Sequence, residues 1–213
     1  MDKVTQTSLS VALATGLYGI SFGALATAAG LDLLSTMLLS LLMFSGASQF
    51  ALVGVFASGG TALAAILSAW LMGIRNSFYA LRLRSEIAPK GLFRLLAAQF
   101  TIDESHAVHA SQTDQKSAVR GFWLTGAGVY LFWNLATLVG ALAGSAFGSV
   151  EAWGLDAAAA AAFLGLLWPM LRGKLVLASL ACLVGVALTP ALGSGTAILL
   201  TALVALIPKL VKS

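Results

Sequence analysis

LLSTMLLSLLMFSGASQFALVGVFASGGTALAAILSAWLMGI, residues 33–74, runs for 42 positions without a single Asp, Glu, Lys or Arg. A soluble domain, with about 25% charged residues, would place about ten charges in such a stretch. Helix crosses the hydrocarbon core of a bilayer in about 20 residues, so this run is long enough to enter lipid twice. Its neighbours read the same way. Charge-free runs occupy residues 4–31, 121–150, 157–171 and 175–208. The whole 213-residue chain is 59% apolar and 9% charged. A soluble enzyme, a disordered tail protein and a disulfide-stapled secreted domain are excluded, and a polytopic membrane protein remains.

A membrane barrel needs strands of about ten residues that alternate apolar and polar. These runs are continuous and rich in Leu and Ala, so their backbone groups must be satisfied within helices. The expected fold is an all-α transmembrane bundle in a single domain of residues 1–213. Cys182 is the single cysteine and can form no internal disulfide. The net charge of +4 marks cytoplasmic loops in such a protein rather than a nucleic-acid surface.

About seven spans are expected, near residues 9–29, 34–57, 61–80, 120–144, 154–171, 175–188 and 196–209. The 33–74 run divides at Ser58-Gly59-Gly60, and the 175–208 run at Thr189-Pro190 and Gly193-Ser194-Gly195. Lys and Arg set the orientation. Residues 81–119 carry Arg82, Arg84, Lys90, Arg94 and Lys116, which puts that basic stretch on the cytoplasmic side. The acidic Glu151 and Asp156, the basic Arg172 and Lys174, and Lys209 with Lys212 then alternate, leaving the C-terminus cytoplasmic. Counting backwards puts the N-terminus outside, unless residues 33–57 form a re-entrant hairpin, which moves it inside. Ala26-Thr27-Ala28 has the form of a signal-peptidase site. The n-region is one Lys beside one Asp, however, and Gly16, Gly19 and Gly23 recur at the intervals of a retained, packed helix.

Several features exceed what an anchor needs. The second span is broken in its middle by Ser45-Gly46-Ala47-Ser48-Gln49. Transporters loosen helices near the midplane so that freed backbone groups hold polar cargo. Small residues and a Gln also serve as interhelical glue. The last two spans are short, another pointer to a transport site, or an accommodation to a thinner bilayer. Arg75-Asn76 near the inner end of span three either snorkels to the surface or offers a carboxylate clamp. Asp103 and Glu104 follow an apolar segment, 92–102, that reads as amphipathic or re-entrant; they are proton carriers, ammonium partners, or solvated loop charges. His106 and His109 lie three apart with Asp103 three residues earlier, a possible metal trio without the H-E-x-x-H pattern. Gly140, Gly144 and Gly148 form a packing seam.

Three motifs, in order, carry a family resemblance. Ser45-Gly46-Ala47-Ser48-Gln49-Phe50 in an early broken helix, Gly73-Ile74-Arg75-Asn76-Ser77-Phe78-Tyr79 closing the next, and Thr101-Ile102-Asp103-Glu104-Ser105 after a basic stretch resemble the AzlC family. The resemblance covers most of the chain, strongest over residues 19–108. In that family the helix end reads Asn-x-Arg-His; here Gly73 and Asn76 take the flanking places, and Ser105-His106 stands where an aromatic usually follows the acidic pair. It implies the large subunit of a branched-chain amino acid exporter in a bacterial inner membrane, working with a small AzlD-type membrane partner.

The expected function is therefore export of hydrophobic amino acids, by proton-coupled secondary transport, without cofactor or enzymatic step. Ser45, Gly46, Ser48, Gln49, Arg75 and Asn76 are the expected substrate contacts, Asp103 and Glu104 the proton-coupling pair, and Phe44, Phe50 and Trp70 the apolar pocket. The alternatives are a membrane metalloenzyme using Asp103, His106 and His109, and a non-transporting accessory subunit.

Overall fold

The structure is a computed structural model that describes residues 2–146 and 173–192, with isolated positions at 164, 168, 171, 197, 200, 201, 203 and 204. It is an all-α bundle. The described helices are α1 (Lys3–Ala28), α2 (Leu33–Leu42), α3 (Gly46–Ala57), α4 (Ala62–Ile87), α5 (Phe93–Gln99), α6 (Asp103–Ala110), α7 (Gln115–Ala146) and α8 (Leu175–Leu192). Among the described residues three helices, Lys3–Ala28, Gln115–Gly144 and Leu175–Leu192, are long and apolar enough to cross a membrane. This is a multi-pass membrane protein.

Local chemistry starts and stops the helices. Asp2, Asp32 and Thr61 cap α1, α2 and α4 by accepting from the amides of Thr5, Ser35 and Ala64 at 2.9, 2.8 and 3.2 Å. α4 ends at Ala88, held at φ 43° before Pro89, which cannot continue a helix.

α1 and α7 form the frame, and they run parallel. Arg120 pairs with Asp2 and donates to Thr5 at one end, while Gly144 packs on Thr27 at the other. Glycine makes the approach possible. A Cβ at Gly16 would lie 2.5 Å from Phe132 Cβ, and one at Gly19 2.5 Å from the Trp133 carbonyl oxygen. Gly23 and Gly140 come closer still to the opposite backbone, so the glycines spaced along α1 are a packing seam.

Residues 34–57, expected as one broken span, do not cross. The break falls at residues 43–45, and there the chain turns back. Ser40 on α2 bonds Thr137, Phe44 reaches Tyr130, and Gly46 then rises again to Trp133. Gln49 Nε2 donates to Leu39 O at 3.0 Å, a reach that a continuing helix, ten residues or about 15 Å farther on, would forbid. α2 and α3 are a re-entrant hairpin. α4 therefore leaves from the same side as α1 ends and runs antiparallel to α7, with Leu83 in one cluster with Phe122 and Glu86 accepting from Gln115.

α5 and α6 repeat this plan from the opposite side. Phe93 stacks edge-on to Trp123, Phe100 packs over Gly126 and Tyr130, and Val108 returns to Gly121. The stretch expected as a cytoplasmic-side segment thus begins with the last turns of α4 and dips to the middle of the bundle. The two hairpin tips meet there: Gln99 Nε2 donates to Leu41 O at 2.7 Å and Tyr130 Oη to the same oxygen at 3.3 Å. Because 33–57 turns back, the N-terminus lies at the same end of the bundle as Arg82, Arg84, Lys90, Arg94 and Lys116, as the hairpin alternative required.

α8 continues through Pro190 to Leu192, past the expected end at 188. The spans expected at 154–171 and 196–209, the cytoplasmic C-terminus and Gly148 lie outside the described residues apart from isolated positions.

Candidate functional site

The hairpin tips are where helices stop in the interior, and a cavity of about 410 Å³ opens between them. Each tip contributes a helix N-terminus. Ser45 precedes α3 but its side chain does not cap it, bonding Ser48 Oγ at 3.0 Å instead. The first residues of α3, Gly46 and Ala47, line the cavity with no acidic side chain in that turn. The partial positive charge of a helix N-terminus is uncompensated there. Gly46 is demanded by packing, since a Cβ would stand 2.9 Å from the Trp133 ring. At the other tip Ser105 Oγ accepts from Ile102 N and donates to Phe100 O, fixing the turn that puts Asp103 and Glu104 in the opening turn of α6.

α4 supplies the opposite charge. The Arg75 guanidinium meets Asp103 Oδ2 at 2.6 Å, and Tyr79 Oη donates to Asp103 Oδ1 at 3.0 Å. Both charged side chains remain more than a third exposed, at 38% and 39%, so the pair is accessible. Glu104 lies on the same wall near Thr15 of α1. Apolar walls complete the chamber: Phe44 and Phe50 from the first hairpin, Val129 and Trp133 from α7. Phe22, Phe50 and Trp133 lock behind it with ring centroids 5.9 to 6.2 Å apart. Three polar atoms of lining residues, Arg75 Nε, Asn76 Oδ1 and Trp133 Nε1, have no hydrogen-bond partner in the protein. Such buried groups cost free energy until something satisfies them.

Of the residues singled out by sequence, Ser45, Gly46, Arg75, Asn76, Asp103, Glu104, Phe44 and Phe50 all line this cavity. Ser48 stands behind Ser45, against Gly73. Gln49 is not at the cavity; it is fully buried and braces the first hairpin through Leu39. Trp70 is 63% exposed and contributes only to a shallower groove beside it. The metal trio is not assembled. Asp103 pairs with Arg75, His106 stacks on Tyr79 at 4.4 Å, and His109 faces Glu86 at 3.4 Å. Among the described residues no group of three His, Cys, Asp or Glu side chains converges on a metal position. The contributions of Thr15, Tyr18 and Trp133 escaped sequence reading; the run Tyr130, Trp133, Asn134 inside an apolar span was the available signal.

Comparison with known proteins covers the same part of the chain. The family described as AzlC protein matches at residues 10–147, well over half of the chain, and the match includes every cavity-lining residue from Thr15 to Trp133. An uncharacterized membrane protein of Archaeoglobus fulgidus is 34% identical over 164 residues, 75% of this chain and 70% of its own. No solved structure matches. With the three ordered motifs falling on the two hairpin tips and on the α4 wall between them, the chain belongs to the AzlC family.

Proposed function

We propose that this protein is the translocating subunit of a secondary transporter that exports hydrophobic amino acids such as valine, leucine and isoleucine by proton antiport. It is a transporter and not an enzyme, it sits in a cytoplasmic membrane, and it works with a small AzlD-type membrane subunit. By the positive-inside rule the basic end of the bundle faces the cytoplasm, which places the N-terminus inside.

The observation that carries this reading is the chamber itself. A zwitterion with an apolar side chain needs a donor site for carboxylate, acceptors for ammonium and a greasy pocket. The α3 N-terminus and the unpartnered Arg75 Nε supply the first. Asn76 Oδ1 and Glu104 supply the second, and Phe44, Phe50 and Trp133 the third. Its 410 Å³ falls in the range of about 300–1,000 Å³ of small-molecule sites. Asp103 is held by Arg75 and Tyr79 in a pair that protonation would release, and it is the coupling carboxylate with Glu104.

Reconstitution tests the proposal. The purified protein, with and without its small partner, is placed in proteoliposomes, and efflux of labelled valine, leucine and methionine is measured under an imposed pH gradient. Flux should depend on the gradient and disappear in Asp103→Asn/Glu104→Gln. Absence of flux for all three substrates in both preparations would sink the transporter reading; undiminished flux in the double amide variant would sink the coupling assignment.

A further inference from the structure

α6 returns from the cavity alongside α4, and the two helices run in the same direction toward the basic end. Their facing side chains form successive polar rungs. Arg75 and Asp103 make the first, at the cavity. Tyr79, stacked on His106 with centroids 4.4 Å apart and planes 15° apart, makes the second. Glu86 and His109 make the third, with Nε2 to Oε2 at 3.4 Å. The third rung has no place in substrate binding, because neither residue lines the cavity. It is nevertheless unusual. The His109 side chain is only 5% exposed, and its Nε2 has no hydrogen-bond partner although a carboxylate lies within ion-pair range. Glu86, next to the helix end at Ile87, is 38% exposed.

We propose that His106, His109 and Glu86 form the proton path between the cavity carboxylates and the cytoplasmic face. This rests on the proton-antiport reading above and extends it from His106 on the cavity wall to His109 and Glu86 outside the binding chamber. Histidine is suited to the task because it gains and loses a proton near neutral pH and carries it on either ring nitrogen. One proton leaves the carboxylic acid form of Asp103 or Glu104 and converts His106 from imidazole to imidazolium. It moves on to His109, three residues along the same helix face, where Cβ atoms are about 5–6 Å apart. His109 delivers it to the Glu86 carboxylate, which releases it to the cytoplasm. Every group returns to its starting form, so only a proton moves; the same steps run in reverse.

The surroundings favour a path over a static pair. From α4 the charged neighbours are Arg75, Arg82 and Glu86, and from α6 Asp103, Glu104 and the other histidine. α1 presents Thr15 and Tyr18 at the cavity, and α7 presents Gly121 beside Val108, with the neighbouring Arg120 paired to Asp2.

Two measurements on the same proteoliposomes separate transport from coupling: leucine–leucine exchange at equal pH on both sides, and proton movement accompanying leucine efflux, read by a trapped pH-sensitive dye. Glu86→Gln and His109→Gln should retain exchange within about twofold of wild type and lose at least tenfold in proton movement. Glu86→Asp should recover most of it, as a purely structural role at this exposed helix end would not require. Proton movement equal to wild type in both Glu86→Gln and His109→Gln, with wild-type coupling intact, overturns the path while leaving the transporter standing. Leucine exchange in the wild type without any proton movement overturns the coupling reading and the path with it.

Discussion

Gly19→Ala tests the frame on which both hairpins rest. An alanine Cβ at this position would lie 2.5 Å from the Trp133 carbonyl oxygen and 3.1 Å from Ala136 Cβ, whereas ordinary contact begins at 3.4 Å. Neither neighbour is the free end of a flexible side chain, so the backbones of α1 and α7 must part by about 0.9 Å at that level. A gap of that size forfeits a quarter to a half of the dispersion energy of each contact across it. Overpacking of this kind costs about 1–3 kcal/mol. Replacing a helix-interior glycine with alanine recovers about 0.5–1 kcal/mol, leaving a net loss of about 1–2 kcal/mol. Gly54, in α3, is the internal control, since a Cβ there has nothing within 4 Å and the alanine gain stands alone. Unfolding of the purified protein in mixed micelles by increasing SDS, followed by tryptophan fluorescence, should separate the two variants by about 2 kcal/mol. A Gly19→Ala protein as stable as Gly54→Ala would refute the close parallel packing of α1 on α7.

Three further outcomes follow from geometry already described. Gln49→Met keeps the volume of a buried side chain but loses the bond to Leu39 O, so it should lower stability by about 1 kcal/mol and leave substrate affinity unchanged; a selective loss of affinity would return Gln49 to the binding site. In a Cys182→Ser background, cysteines replacing Leu31 and Ser58 should react with an impermeant maleimide from one face of the membrane, and those replacing Lys90 and Gln112 from the other; opposite sidedness of positions 31 and 58 would mean that α2 and α3 cross. The Asp2 carboxyl is held down at about 2, first by its bonds from Thr5 and then by Arg120, against 3.8 ordinarily. A depressed carboxylate stabilises the fold above its ordinary pKa and loses that contribution as pH falls through the lowered one. The gap in unfolding midpoint between wild type and Asp2→Ala should therefore be full above about pH 4 and close toward pH 2, as measured by denaturation at stepped pH.

Scarcity of charge was enough to show helices in lipid, because a charge-free run of 42 residues has no other stable home. Direction was not encoded in the same way. Residues 34–57 are equally apolar whether they cross once or enter and return, and the turn at 43–45 depends on Gly46 fitting under Trp133, some 87 residues away in sequence. The charged part of the site was legible because Arg75, Asp103 and Glu104 are costly in a membrane interior and need a reason to be there. Gln49 shows the limit of that logic: a buried amide is equally costly whether it binds cargo or braces a hairpin, and spacing alone does not separate the two. Thr15, Tyr18 and Trp133 gave no comparable signal, since hydroxyls and aromatic rings are common on membrane helices that do nothing but pack.

The two half-depth hairpins have a mechanical consequence. α2 and α3 hold 10 and 12 residues, about 15 and 18 Å of helix, and α5 and α6 are shorter still. Neither hairpin drags a polar loop through lipid when it moves, because each already begins and ends on one face. Across the middle of the protein, no covalent chain joins one tip directly to the other; they are tied by the amide of Gln99 and the shared carbonyl of Leu41, with Tyr130 alongside, and by the cluster that Ile102 shares with Phe44 and Phe50. The continuous helices α1, α4 and α7 carry tension from face to face, while the plane between the tips carries little. Displacement of a few ångströms is thereby concentrated at the level where the chamber lies, and the rest of the bundle can stay as it is.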